Sequence, residues 1–78
     1  MTIKKHDPES YQIEITQESC EGELLWVARV AELLDLTEFD DSYEEAYSKV
    51  LAAIRVSQEA CLEAGTKFPA PLSLGRGT

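Results

Sequence analysis

Fifteen carboxylates, one histidine and two cysteines are the side chains with which this 78-residue chain could do chemistry. Six of the carboxylates fall in one short run: Asp35, Glu38, Asp40, Asp41, Glu44 and Glu45. Carboxylates at such spacing can hold a divalent cation or exchange protons as an acid–base pair. The run also opens a helix, where the macrodipole favours negative charge, and it lacks the Asp-x-Asp-x-Asp-Gly order of a calcium loop. The helix-start reading is preferred. His6, the only histidine, stands in a polar segment with no partner nearby in sequence. Cys20 and Cys61 belong to no C-x-x-C or Cys/His cluster, so no zinc site is expected and both are read as reduced thiols. A reactive thiol needs an electropositive site, which this acidic chain does not offer. Ser42 has no nucleophile-elbow context, and the four glycines form no phosphate-cradling loop. The reading is of a non-enzyme, with no catalytic residue, cofactor or metal. Trp26 and Tyr43 are left as aromatic side chains that could stack on bases or anchor a protein partner, and Trp26 reads equally well as core.

The charge points the same way. Net charge is −8 and the sequence pI about 4.4, with seven scattered basic residues. Binding to nucleic acid draws on a basic patch, so no direct contact with it is expected. An acidic surface favours encounter with a basic partner, and the contact residues proposed from sequence are Trp26, Glu38, Asp40, Asp41 and Glu44. No apolar stretch follows Lys4 and Lys5, and the longest apolar run is Leu24 to Ala28. No targeting or membrane segment is therefore expected, and the location expected is cytoplasmic. The length suits one domain over residues 1–78, with 1–9 and 73–78 as flexible ends. So small a core often relies on self-association.

The elements that must position these groups follow from periodicity. Tyr11, Ile13 and Ile15 alternate with Gln12 and Glu14, which predicts a half-buried strand. Ser19 to Gly22 reads as a hairpin connection with Gly22 at positive φ. Glu23 to Ala31 predicts a second strand, apolar on both faces and therefore central or covered by another chain. Glu32 to Leu36 can be turn or extended chain, and Thr37 to Phe39 is a short third strand with Asp40 and Asp41 as its exit. Ser42-Tyr43-Glu44-Glu45 is a capping box. Tyr47, Val50, Leu51, Ile54, Gln58 and Cys61 then form a helical stripe in which only Gln58 is polar. Glu45 with Lys49 and Arg55 with Glu59 are expected surface pairs. Gly65 ends the helix, and Thr66 to Leu72, with two prolines, is an extended segment beside the sheet. The class is α+β: two layers, an antiparallel three- to four-stranded sheet under one long helix. A single helix leaves the other sheet face bare, which predicts a homodimer or a protein partner.

The ordered set of Tyr11-x-Ile13-x-Ile15, an acidic glycine turn, Val30-Ala31-Glu32-Leu33, Asp41-Ser42-x-Glu44-Glu45-Ala46 and Pro69-Ala70-Pro71 resembles the HicB-like antitoxin family over roughly residues 11 to 72. Ala31 replaces the family's proline, Asp40 stands where glycine is common, and Leu34-Asp35-Leu36 replaces its proline-glycine-cysteine turn. The resemblance implies a β-β-β-α-β, partial RNase H-like layout without nuclease activity. It further implies a dimer or tetramer, and masking of a small basic mRNA-cleaving HicA-type toxin. These 78 residues contain no counterpart of the DNA-binding module that usually follows in that family. The other expectation is an orphan homo-oligomeric module.

Overall fold

The computed structural model describes residues 5–72. In chain order they form a short 3-10 turn (Pro8–Ser10), strands β1 (Ile13–Cys20), β2 (Glu23–Val30) and β3 (Leu33–Asp40), and helix α1 (Tyr43–Ala64). The strands make one antiparallel sheet in the order β1-β2-β3. The architecture is the expected α+β arrangement. No fourth strand forms among the described residues, and the expected flexible end at 73–78 lies outside them, as do residues 1–4.

The hairpin β1–β2 closes tighter than expected. Only Glu21 and Gly22 form the loop, both at positive φ (52° and 85°). That combination matches the right-handed twist of the flanking strands. Ser19 and Cys20, expected in the connection, therefore pair with Leu24 and Glu23. At its other end β1 begins at Ile13, because Tyr11 closes the 3-10 turn capped by Asp7.

β3 is longer than expected. Ala31 and Glu32 turn the chain, so β2 ends at Val30, and Leu33 pairs back to Val30. Arg29 nonetheless pairs with Thr37, so Leu34, Asp35 and Leu36 are three extra residues in β3. Such a bulge bends and twists the strand. It turns Leu36 onto the core and leaves Leu34 88 % exposed.

The helix has the expected bounds. Its N-cap Ser42 accepts the Glu45 amide at 3.4 Å, and Gly65, at φ 75°, ends it in the left-handed conformation. The other half of the capping box differs. The Ser42 amide donates to Asp40 Oδ1 at 3.2 Å, not to Glu45. The expected surface pairs also give way: Lys49 bonds Asp40 at 2.9 Å and Glu59 faces Lys5 at 3.6 Å. Backbone proximity created by the fold outcompetes pairing along the helix.

Buried Ala46, Val50 and Ile54 pack against Ala28, Val30 and Tyr11. Ile13, Ile15, Trp26, Leu33, Leu36, Tyr47 and Phe68 close the rim. Ala46 belongs to the buried stripe, although Tyr47 is the residue the periodicity selects there. The polar exception, Gln58, is 4 % exposed and satisfied: its Nε2 donates to the His6 carbonyl at 3.0 Å, and its Oε1 accepts the His6 amide at 2.6 Å. The backbone of His6 is thereby held against the helix. The segment after α1 is pinned rather than paired. Tyr11 donates its hydroxyl to the Pro69 carbonyl and meets Phe68 edge-on at 5.9 Å. Glu32 accepts the Leu72 amide at 2.7 Å and the Gln12 amide at 3.1 and 3.2 Å. One carboxylate thus ties the β2–β3 turn to the entry of β1 and to Leu72. Burial, and after it the Glu32 charge, raises the Tyr11 phenol above its ordinary pKa.

Candidate functional site

The sequence-proposed contact residues lie at the junction where β3 passes into α1. Strand register sets Glu38 opposite Ala28 and Asp40 opposite Trp26, so both acids point to the helix side of the sheet. Asp41 and Glu44 follow on the exposed turn and first helical residues. The fold therefore brings Glu38, Asp40, Asp41 and Glu44 to one end of the molecule. Lys49 reaches across them, donating to the Phe39 carbonyl at 3.2 Å as well as bonding Asp40. The Lys49 ammonium first, and after it the hydrogen bond from the Ser42 amide, lower the Asp40 pKa to about 2. Asp40 in turn raises the Lys49 pKa. Asp40 is therefore a fixed anion at neutral pH, unsuited to proton transfer there.

Trp26 lies on the helix side, half-buried against the core, with Tyr43 edge-on at a centroid distance of 5.2 Å. Tyr43 is itself 50 % exposed. Phe39, 57 % exposed, points to the opposite face, where it pairs with Val27. Sequence reasoning did not select Phe39 for contact. The available signal was its alternation with the acidic Glu38 and Asp40 at the end of the strand. The junction thus presents aromatic surface on both faces beside the acidic residues, and aromatic side chains are enriched at protein interfaces.

The second face of the sheet carries Glu14, Thr16 and Glu18 from β1, Leu25, Val27 and Arg29 from β2, and Thr37 and Phe39 from β3. Arg29 pairs there with Glu18 at 2.6 Å. That bond, with a smaller contribution from Thr16, lowers the Glu18 pKa, and the same bond to Glu18 raises that of Arg29. No described element covers this face.

Among the described residues, no group of three His, Cys, Asp or Glu converges as a metal site requires. His6 stacks edge-on to Tyr11 at 6.4 Å. Cys20, at the end of β1, is exposed and unbridged; Cys61, on α1, is half-buried and unbridged. No described helix is long and apolar enough to cross a membrane. Compared with known proteins, the chain matches no family model, no curated protein and no solved structure.

Proposed function

We propose that this chain is a protein-binding domain of the HicB-like type, an antitoxin that masks a small basic mRNA-cleaving toxin by steric and electrostatic cover. The observation that carries the reading is the junction of β3 and α1, where Glu38, Asp40, Asp41 and Glu44 lie beside exposed Tyr43 on the helix side and exposed Phe39 lies on the opposite face, with Lys49 bonded to Asp40. Desolvated aromatic side chains supply affinity, and a charged rim supplies encounter rate and choice of partner. The β-β-β-α order is compatible with the layout that the family resemblance implies. The domain then acts in the cytoplasm without cofactor, metal or chemistry of its own.

The test is recovery of a partner from lysate of the source cells with the tagged chain. A small basic ribonuclease at near-equal stoichiometry, inhibited by the wild-type chain, supports the reading. The double variant Asp40→Lys, Asp41→Lys should then bind more weakly, with reduced salt dependence. Unchanged affinity removes the acidic rim from the interface, and absence of any ribonuclease removes the antitoxin assignment.

One observation favours a second reading, an orphan homo-oligomeric module. Leu25, Val27 and Phe39 lie together on the sheet face that no described element covers. A stable oligomer with no heterologous partner is the outcome that supports it.

A further inference from the structure

The two edges of the sheet are built differently. β3 carries the three-residue bulge and acidic Asp35, Glu38 and Asp40, features that discourage strand addition. β1 carries acids as well, Glu14 and Glu18, but neither proline, lysine nor bulge along Ile13–Cys20, and it pairs with β2 without a register break. The amide of Ala31 donates to the carbonyl of Gln12 at 3.0 Å. Antiparallel ladders alternate hydrogen-bonded and non-bonded pairs, so Glu14, Thr16 and Glu18 bond inward to β2. Ile13, Ile15, Gln17 and Ser19 then present their amides and carbonyls outward. Among the described residues nothing pairs with that edge. Helix α1 packs mainly over β2 and β3, which leaves Ile13 and Ile15 only half-buried.

We infer that two copies of the chain associate through the outer edge of β1, strand to antiparallel strand, with Ile15 opposite Ile15 of the second copy. This rests on the self-association reading above and specifies its geometry. A two-fold axis normal to the sheet keeps both helices on one side and joins the sheets into one. The β1 sequence suits that register. Glu14 faces Thr16 of the second copy, Gln12 faces Glu18, and Ile13 faces Gln17, so no carboxylate opposes another. Centring the pair on Thr16 instead sets Glu14 against Glu18, which like-charge repulsion disfavours. Centring it on Gln17 sets Ile15 against Ser19 and forfeits the isoleucine contact. The chosen register also uses the outward-facing odd positions as its hydrogen-bonded pairs.

The Cys61→Ser chain keeps Cys20 as its sole thiol, exposed for a nitroxide label. In the inferred dimer the two labels lie ten residues apart along one ladder, roughly 33 Å at a rise of about 3.3 Å per residue. Pulsed dipolar spectroscopy should show that separation, and sedimentation should show a dimer. Gln17→Pro removes an outward amide on an exposed residue and leaves the β1–β2 ladder intact, so it should weaken the dimer by about tenfold or more. Its far-UV spectrum checks that it folds, and the label distance decides the register without it. A dimer with another separation, broken by Phe39→Glu and indifferent to Gln17→Pro, overturns the edge geometry and leaves self-association standing. A monomer at the highest soluble concentration overturns both.

Discussion

The two faces of the sheet are made from the same three strands, and they end in different states. On the helix side, Ala28 and Val30 are closed off by Ala46, Val50 and Ile54. On the other side, Val27 and Phe39 are neighbours in the same ladder, yet Phe39 is 57 % exposed. Alternation along β2 produces two nearly equal apolar faces, but the chain supplies only one helix. The difference shows that burial is decided by the number of covering elements, not by the apolarity of the strand. The uncovered face and the open β1 edge are the surface left for a partner or a second copy.

The largest expected effect tests the covered face. Ile54→Ala should cost about 2–5 kcal/mol, since a fully buried side chain leaves a cavity, whereas Val27→Ala should cost less than about 1 kcal/mol as a surface change. Urea denaturation of both variants at low concentration makes the comparison. Similar losses would mean that the second face is covered in solution, and a concentration-dependent Val27→Ala midpoint would tie that cover to self-association.

A second test concerns the Glu32 clamp on Gln12 and Leu72. Glu32→Ala removes the acceptor for the Gln12 and Leu72 amides and should cost about 1–3 kcal/mol. Hydrogen exchange should accelerate at Leu72 before it does so in β2. Uniform acceleration would show that the carboxylate supports the whole fold rather than the tail.

Ser42→Ala should cost about 1 kcal/mol through the lost N-cap bond to Glu45. The loss should be read against Asp40→Asn, which weakens the neighbouring Ser42 contact. If the two losses do not add, cap and aspartate form one unit.

The smallest effect is on pH dependence. The Asp40 pKa is depressed in the folded chain, so its contribution is present above the unfolded carboxylate range and is lost as pH falls toward about 2. Lys49→Met removes the main cause and should flatten the melting temperature between about pH 2 and 4. Lys49 is half-exposed and Asp40 sits at the rim beside it, so the change should be small and should shrink with added salt. A profile identical to wild type would show that Lys49 does not hold Asp40 in solution.

Much of this was legible in local pattern. The bounds of α1, Ser42 as its N-cap and Gly65 as its stop follow from capping chemistry and a 3.6-residue stripe, both local. The alternation in β1 and β2 was legible too, as was the gathering of Glu38, Asp40, Asp41 and Glu44, because they are neighbours in sequence. The extension of β1 through Cys20 was not, since it depends on Glu21 adopting a positive φ that its residue type does not announce. The bulge at Leu34–Leu36 was hidden because a run of leucines fits turn and strand alike. Phe39 as exposed surface was missed because an aromatic at strand spacing reads as core until the covering helix has been assigned a side.

By itself the sequence determined the α+β class, the element order, the acidity of the surface and the position of the helix. Each depends on residues a few positions apart, where periodicity, capping and charge act directly. Only the tertiary structure decided which sheet face α1 covers, that Gln58 is buried because the His6 backbone satisfies it, and that Glu32 joins residues forty positions apart. Those outcomes depend on contacts closed by the whole fold. A buried amide or a clamping carboxylate is favourable only once distant backbone has been brought within hydrogen-bonding distance.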